Sequence, residues 1–172
     1  MRYVALAMLV CSGCSGVDDP EFNSVLESNT ASYVASDDPD PRYDYALTIT
    51  LTYRNTSLLI VRVPRCTATI AEANYSVVKV GSGVAAWNPN LTCATFGTPY
   101  TDLRPGESHT DTLVLHAPWQ RLFNGQPVGD FEGRFYIIYE TQICALVSTT
   151  GACTPVNRIE TVRSNEFTIT TP

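Results

Sequence analysis

The clearest pattern along the chain is a strict alternation of large and small side chains over residues 45–53. The odd positions hold Tyr45, Leu47, Ile49, Leu51 and Tyr53, and the even positions hold alanine or threonine. Because successive side chains of a β-strand point to opposite faces, this alternation predicts a strand with one buried face and one polar face. Such a half-buried strand is typical of an antiparallel sheet.

Other short apolar segments follow, and turn signals separate them. We expect strands over residues 57–63, 67–72, 75–80, 84–87, 108–116, 133–140 and 164–170. The sharpest turn signal lies in residues 103–107, where Pro105 presets φ and Gly106 tolerates a positive φ. About seven or eight short strands, without a long helical period, predict an all-β protein in which two antiparallel sheets pack as a β-sandwich.

The amino-terminal residues have the composition of a signal peptide. Arg2 precedes an apolar run over residues 3–10, which is too short to span a bilayer. Two small residues then stand directly before a cysteine in the sequence Ser12-Gly13-Cys14. This arrangement resembles the lipobox of bacterial lipoproteins, although Cys11 occupies a position where that family usually has leucine. The alternative is a buried amino-terminal strand or helix that carries two ordinary cysteines.

The resemblance to lipoproteins implies where the protein resides. It implies a signal peptide over residues 1–13, a lipidated Cys14 with a tether over residues 14–22, and a single folded domain over residues 23–172. Acyl chains on Cys14 would hold this domain on a membrane of the cell envelope. Ser15 follows Cys14, where an aspartate would favour an inner membrane, so the outer membrane or the cell surface is favoured.

Cysteine counting agrees with export to an oxidising compartment. Signal-peptide cleavage and lipidation account for two of the six cysteines and leave Cys66, Cys93, Cys144 and Cys153. An even number predicts disulfide bonds, and four cysteines allow three pairings. Nearness in sequence favours Cys66–Cys93 together with Cys144–Cys153. A zinc site is disfavoured, because none of these four cysteines forms a Cys-x-x-Cys pair with another.

Four segments resemble immunoglobulin-like modules of bacterial surface lipoproteins. They are residues 54–57, 103–107, 131–135 and 164–169. The resemblance implies an immunoglobulin-like arrangement of the β-sandwich. The third segment resembles a tyrosine corner but departs from it, because Phe135 has no hydroxyl group to bond the backbone.

Composition limits the partners that the chain could bind. The 172 residues carry a formal net charge of −6, with 44% hydrophobic and 16% charged residues. This balance supports a folded core, and the basic residues form no cluster that would bind nucleic acid. Membrane association would rest on the acyl chains, because an acidic chain is not attracted to anionic headgroups. We expect a monomer without a cofactor.

The residue types that carry catalysis do not converge in the sequence pattern. Ser108 and His109 are neighbours in a predicted strand, so they point to opposite faces. His109 and His116 also point to opposite faces and cannot hold one metal ion together. We therefore expect no catalytic residue and no metal site. The carboxylates over residues 37–44 indicate a solvated acidic loop, which we favour over a calcium site.

The connection over residues 141–163 is long for a hairpin loop, and we expect it to lack regular structure. Its apolar residues are candidates for contact with a partner, and they are Ile143, Ala145, Leu146 and Val147. A stapled, inert extension is the alternative. The expected function is a structural, adhesion or protein-binding module of the cell envelope that is not an enzyme. Inhibition of an extracellular protease through this loop is the second hypothesis, and hydrolysis is the third.

Overall fold

The computed structural model describes residues 24–64, 75–82, 85–87, 100–118, 130–147 and 153–172. These residues form strands, turns and bends and no helix, which confirms the predicted all-β class. The strands are β1 (Ser24–Ser28), β2 (Ser32–Val34), β3 (Ser36–Asp37), β4 (Tyr45–Asn55), β5 (Val61–Pro64), β6 (Tyr75–Lys79), β7 (Ala85–Trp87), β8 (Tyr100–Leu103), β9 (Ser108–Ala117), β10 (Gly133–Val147), β11 (Cys153–Arg163) and β12 (Phe167–Thr170).

The first sheet has β4 as its central strand. β9 pairs antiparallel with one edge of β4 over ten residue pairs, from Tyr45 opposite Ala117 to Arg54 opposite Ser108. β1 and β3 pair antiparallel with the other edge, near the carboxyl and amino ends of β4 respectively. The alternating segment of the sequence is therefore the centre of this four-stranded sheet.

The second sheet has eight strands and is built around β10. Along one edge, β10 pairs first with β12 and then with β11. Along the other edge, it pairs first with β6 and then with β5. β2 extends the sheet beyond β12, β7 extends it beyond β6, and β8 extends it beyond β5. All these pairings are antiparallel except that of β2 with β12, which is parallel.

Inward-facing side chains of both sheets form one hydrophobic core. Leu47, Ile49, Leu51 and Tyr53 of β4 are at most 5% exposed, as the alternation predicts. Tyr53 meets Tyr139 of β10 edge-on, with 5.5 Å between the ring centroids, so the core joins the two sheets. Each fully buried large apolar side chain contributes about 1.5–3 kcal/mol, which makes these facing rows the main stabilising feature.

Most of the predicted strands within the described ranges are present. The segments that correspond to β6, β7, β9 and β12 are residues 75–80, 84–87, 108–116 and 164–170. The turn predicted over residues 103–107 is confirmed, because the Glu107 N–H donates to the Arg104 carbonyl oxygen at 3.0 Å and Gly106 has a φ of 82°. The strand predicted over residues 67–72 lies outside the described residues.

The strand predicted over residues 57–63 is wrong in its first half. Residues 57–59 form a bend, and β5 begins only at Val61. The cause is the side chain of Asn55, which accepts the Ser57 backbone N–H at 3.0 Å and donates to the Leu59 carbonyl oxygen at 2.7 Å. These two bonds hold the chain in a turn that leaves the side chain of Leu58 75% exposed.

The prediction that residues 141–163 lack regular structure is also wrong for the described residues 141–147 and 153–163. β10 continues to Val147 and forms a hairpin with β11, from Ile138 opposite Arg163 to Val147 opposite Cys153. Two register irregularities, between Gln142 and Cys144 and between Cys144 and Leu146, interrupt the pairing. Such irregularities break the strict alternation from which a strand is predicted. The strand predicted over residues 133–140 therefore stops before the end of β10.

Candidate functional site

Three buried tyrosines connect the two sheets, and we call them the tyrosine cluster: Tyr53 of β4, Tyr75 of β6 and Tyr139 of β10. The rings of Tyr75 and Tyr139 stack with 4.3 Å between their centroids and 15° between their planes. Tyr53 meets Tyr139 edge-on. Offset and edge-to-face pairs of this kind add about 0.5–1.5 kcal/mol beyond their buried area, so the cluster fixes the relative position of the three strands.

A carboxylate and an imidazole extend the tyrosine cluster toward the surface. The Tyr75 hydroxyl donates to Asp111 Oδ2 at 2.7 Å, and His109 Nε2 lies 2.8 Å from Asp111 Oδ1. The Asp111 side chain is 5% exposed and that of His109 is 19% exposed. Both residues lie on β9 two positions apart, so the strand alternation places them on the same face. This spacing was the signal in the sequence that could have revealed the pair.

The described geometry separates Ser108 from this histidine–aspartate pair. Ser108 is exposed and lies opposite Arg54 across the sheet, whereas Asp111 is buried. The prediction that Ser108 and His109 point to opposite faces is therefore in agreement with the burial pattern of β9. Asp111 can hold the imidazole of His109 in one orientation, which is a positioning role within the core.

A second polar group ties the first residue of β1 to the hairpin. The Tyr53 hydroxyl donates to Ser24 Oγ at 2.6 Å, and Ser24 Oγ donates to Glu160 Oε2 at 3.1 Å. Thr141 Oγ1 lies 3.5 Å from the same tyrosine oxygen. Burial raises the pKa of Tyr53 to about 12 and also raises the pKa of Glu160. The group therefore connects β1, β4, β10 and β11 through partly desolvated side chains.

The acidic loop over residues 38–44 is folded against β9. His116 Nδ1 lies 2.5 Å from Asp38 Oδ2, and the ring of Tyr43 stacks on the imidazole at 4.6 Å. Asp38 Oδ1 also accepts the Asp40 backbone N–H at 2.8 Å, and Asp40 forms an ion pair with Arg42 at 2.6 Å.

These contacts occupy two carboxylates of the acidic loop, those of Asp38 and Asp40. The bond to His116 lowers the pKa of Asp38, and the bonds from Arg42 lower the pKa of Asp40 to about 2. The expectation of a solvated loop is wrong for Asp38, because its side chain has no exposed surface. Among the residues that the structure describes, no cluster of three or more histidine, cysteine, aspartate or glutamate side chains is arranged to hold a metal ion.

Several residues that the sequence analysis predicts to have a role lie outside the described residues, and for others the structure describes only the backbone. Cys14, Cys66 and Cys93 lie outside the described residues, as do the predicted signal peptide and tether. The backbone register puts Cys144 opposite Pro155 and Cys153 opposite Val147. Both disulfides stay predictions. The residues proposed for partner contact lie in β10 instead of a loop, and their binding role stays a prediction; they are Ile143, Ala145, Leu146 and Val147.

Comparison with known proteins adds no family assignment. The sequence matches no protein-family model and no curated protein. Within the described ranges, no helix has the length and apolar character needed to cross a membrane.

Proposed function

We propose that the chain is a lipid-anchored module of the bacterial cell envelope with a structural, adhesion or protein-binding role. The observation that carries the proposal is the sequence Ser12-Gly13-Cys14 directly after a short apolar run. A lipoprotein signal peptidase requires small residues before the cysteine that it exposes, and the acylated cysteine then anchors the chain. Two or more acyl chains suffice for stable membrane attachment, whereas one gives only marginal binding.

The strand pairing supports an immunoglobulin-like β-sandwich as the anchored domain. β1, β4 and β9 form one antiparallel sheet, and β12, β10 and β6 form the centre of the other. β1 belongs to the first sheet, whereas β2 pairs with β12 of the second sheet. The segment that contains β1 and β2 therefore contributes a strand to each sheet. Two sheets with inward-facing rows are the arrangement that immunoglobulin-like domains share.

The pairing of the titratable groups near the core supports the structural part of the proposed role. Asp111 bonds both Tyr75 and His109, and Glu160 accepts from Ser24. The bonds of Asp111 to Tyr75 and of Glu160 to Ser24 each join a strand of one sheet to a strand of the other. The polar side chains near the core therefore serve the rigidity of the domain.

The proposed anchor sets how far the domain stands from the membrane. Ser24, the first residue of β1, follows Cys14 by ten residues. A chain of this length spans at most about 33–36 Å when fully extended. The domain would therefore work close to the bilayer surface, within reach of other components of the envelope.

Replacement of the two amino-terminal cysteines tests the proposal. The full chain is expressed in a bacterial host with either Cys14→Ala or Cys11→Leu, and each protein is partitioned between water and detergent. We expect Cys14→Ala to move the protein to the aqueous phase, and we expect Cys11→Leu to leave it in the detergent phase, because leucine is the usual lipoprotein residue there. Mass spectrometry of the wild-type protein should find acyl chains on an amino-terminal Cys14. A wild-type protein that retains Met1 to Gly13 would end the proposal.

A further inference from the structure

β9 forms one edge of the first sheet. It pairs with β4 over its whole length, from Ser108 to Ala117, without a register irregularity. β1 and β3 lie on the other side of β4, and none of the described strands pairs with the second edge of β9. A long and regular edge of this kind is a template on which a further strand can pair.

The other outer strands of the described sheets have features that hinder such pairing. β2, β3 and β7 have only two or three residues each, and β8 has four. β11 contains Pro155 and two register irregularities, and β1 is bridged to Ser164 beside the other sheet. β9 has ten residues without proline, lysine, arginine or glutamate, and its one aspartate, Asp111, is buried. It therefore lacks the charges, prolines and bulges by which natural edge strands avoid pairing.

The hydrogen bonds of β4 show which backbone groups of β9 point to the free edge. The Asn55 N–H donates to the Glu107 carbonyl oxygen at 3.0 Å, on the β9 side, and the Asn29 N–H donates to the Thr50 carbonyl oxygen at 3.0 Å, on the β1 side. Odd-numbered residues of β4 therefore direct their backbone groups toward β9, and odd-numbered residues of β9 lie opposite them. The even-numbered residues of β9 direct their N–H and C=O groups away from β4, and no described backbone group bonds them. They are Ser108, Thr110, Thr112, Val114 and His116.

We propose that two copies of the chain pair through antiparallel β9 strands, which joins their first sheets into one continuous sheet. This inference deepens the protein-binding role proposed above by naming the partner, and it does not require the lipid anchor. It replaces the monomer expected from the sequence, because a single sequence does not show which strand lies at an edge. The partner of such an edge must itself be an extended strand, since the groups to be bonded are backbone N–H and C=O.

One register satisfies all five outward-directed residues at once. A two-fold axis at Thr112 places this residue opposite Thr112 of the second copy, Thr110 opposite Val114, and Ser108 opposite His116. Each of these pairs would exchange two backbone hydrogen bonds. Their side chains lie on the exposed outer face, and none of them is a carboxylate, a lysine or an arginine, so this register brings no like charges together.

The Ser108 end of β9 is basic. Arg54 lies opposite Ser108 and is exposed, and Arg104 is exposed in the adjoining turn. Glu107 is the acidic residue of this end, and its carboxylate accepts the Arg104 backbone N–H at 2.8 Å. Two guanidinium groups therefore face one carboxylate here.

The His116 end of β9 is acidic. The imidazole of His116 contacts Asp38 of the acidic loop, in which carboxylates outnumber the one guanidinium. The charged residues of this loop are Asp38, Asp40, Arg42 and Asp44. Antiparallel pairing places the basic end of each copy beside the acidic end of the other, whereas parallel pairing would place like ends together. Glu27, a further carboxylate of the same sheet, lies on β1 at the far edge and is separated from β9 by β4.

A cysteine at the two-fold axis tests the pairing. The two copies of position 112 form a hydrogen-bonded pair with Cα atoms about 5.5 Å apart, which a disulfide can span. The purified full chain with Thr112→Cys, treated with a mild oxidant, should form a dimer whose peptide map contains a bond between the two positions 112. Thr48→Cys is the matched control, because Thr48 is exposed on β4 of the same sheet, and it should give only background crosslinking. Equal crosslinking of the two variants would overturn the proposal.

A second pair of variants tests the register. Thr110→Cys alone should not crosslink, because the two copies of position 110 are offset by about 14 Å along the strands. The same is expected of Val114→Cys alone. A mixture of the two variants should crosslink, since these positions lie opposite each other in the proposed dimer. A mixture that crosslinks no faster than either variant alone would contradict the two-fold axis at Thr112.

A charge exchange tests the interface without a crosslink. Thr112→Lys and Thr112→Glu should each weaken the dimer by about tenfold or more in sedimentation experiments, because two like charges then meet at the axis. A mixture of the two variants should restore association. Thr161→Lys is the control, because Thr161 is exposed on β11 of the second sheet, and it should associate as the wild type does. Near-UV circular dichroism checks that each variant is folded, and a dimer that survives both changes at Thr112 would overturn the proposal.

Two further results separate this inference from the proposed anchor and from another partner. The Cys14→Ala protein should associate as the wild type does, so loss of the anchor and loss of the pairing are distinct outcomes. A wild-type protein that stays monomeric up to millimolar concentration would overturn the proposal. Crosslinking of Thr112→Cys on intact cells to a different protein, without a bond between two positions 112, would also overturn it and would assign the edge to that protein.

Discussion

Asn55 is the residue that fixes the turn between β4 and β5. Its amide nitrogen donates to the carbonyl oxygens of Leu59 at 2.7 Å and Leu103 at 2.9 Å, and its amide oxygen accepts from Ser57. The side chain is fully buried. Asn55 begins a pattern that resembles a glycosylation site, but both protons of its amide are used inside the protein. One buried amide thus joins this turn to the end of β8.

The first prediction concerns the stability that this amide provides. Asn55→Ala removes the donors to two buried carbonyl oxygens and the acceptor for Ser57. We expect the free energy of unfolding in urea to fall by about 2–4 kcal/mol, because buried groups left without partners bear the full cost of desolvation. Leu58→Ala is the control in the same turn and should change the stability by less than about 0.5 kcal/mol, since Leu58 is largely exposed. Equal losses in the two variants would contradict this account of the turn.

At the scale of elements, Glu160 connects the hairpin to β1 and gives this junction a defined pH dependence. Burial raises the pKa of the Glu160 carboxyl in the folded protein above its ordinary value of 4.5. The folded state therefore takes up this proton before the unfolded chain does as the pH falls. The contribution of Glu160 to the free energy of unfolding thus increases as the pH falls through the folded-state pKa, and it becomes constant below the unfolded-state pKa.

The second prediction isolates this contribution with Glu160→Gln. We expect the variant to gain stability relative to the wild type at neutral pH, and we expect the difference to shrink as the pH falls toward 4.5. Urea unfolding of both proteins across this pH range measures the difference. His116 and Arg42 lower the pKa values of Asp38 and Asp40, so these carboxyls make the protein less stable as the pH falls. Both proteins contain them, so their effect cancels in the difference between the two stabilities.

Ser24→Ala provides an independent check on the same junction. The hydrogen bond from Ser24 lowers the pKa of Glu160 and so opposes the effect of burial. Its removal should raise that pKa further and make the stability of the protein depend more steeply on pH. A difference between wild type and Glu160→Gln that stays constant with pH would show that Glu160 does not titrate in this way.

The elements that could be predicted from the sequence are those whose alternation is uninterrupted. β4 and β9 keep a strict alternation, and their predicted inner faces are the buried ones. The end of β10 escapes prediction because register irregularities follow Gln142. The bend before β5 escapes prediction because a side chain, Asn55, and not the apolar pattern, directs the backbone there. Local periodicity contains no information on such bonds between a side chain and a distant backbone group.

The candidate sites likewise include features that follow from alternation along a strand and features that depend on contacts between distant residues. The opposite orientation of Ser108 and His109 follows from alternation alone. The bond between Asp111 and Tyr75 requires β6 to face β9 across the core, and a single sequence does not reveal which strands of two sheets face each other. The bond between Asp38 and His116 likewise joins residues 78 positions apart. Contacts of this kind depend on tertiary packing, so the acidic residues 37–44 could be recognised only by composition.

At the scale of the whole molecule, the third prediction concerns the two predicted disulfides, Cys66–Cys93 and Cys144–Cys153. If Cys66 pairs with Cys93, either single serine substitution should lower the free energy of unfolding by about 2–5 kcal/mol, and the double substitution should lower it by no more than the single one. The same relation should hold for Cys144 and Cys153. Losses should add when one cysteine is replaced in each pair, because independent crosslinks contribute separately.

Urea unfolding of the oxidised protein measures these losses for the single and double variants, and non-reducing peptide mapping identifies the bonds. Additive losses within a proposed pair, or alkylation of all four thiols in native material, would contradict the pairing.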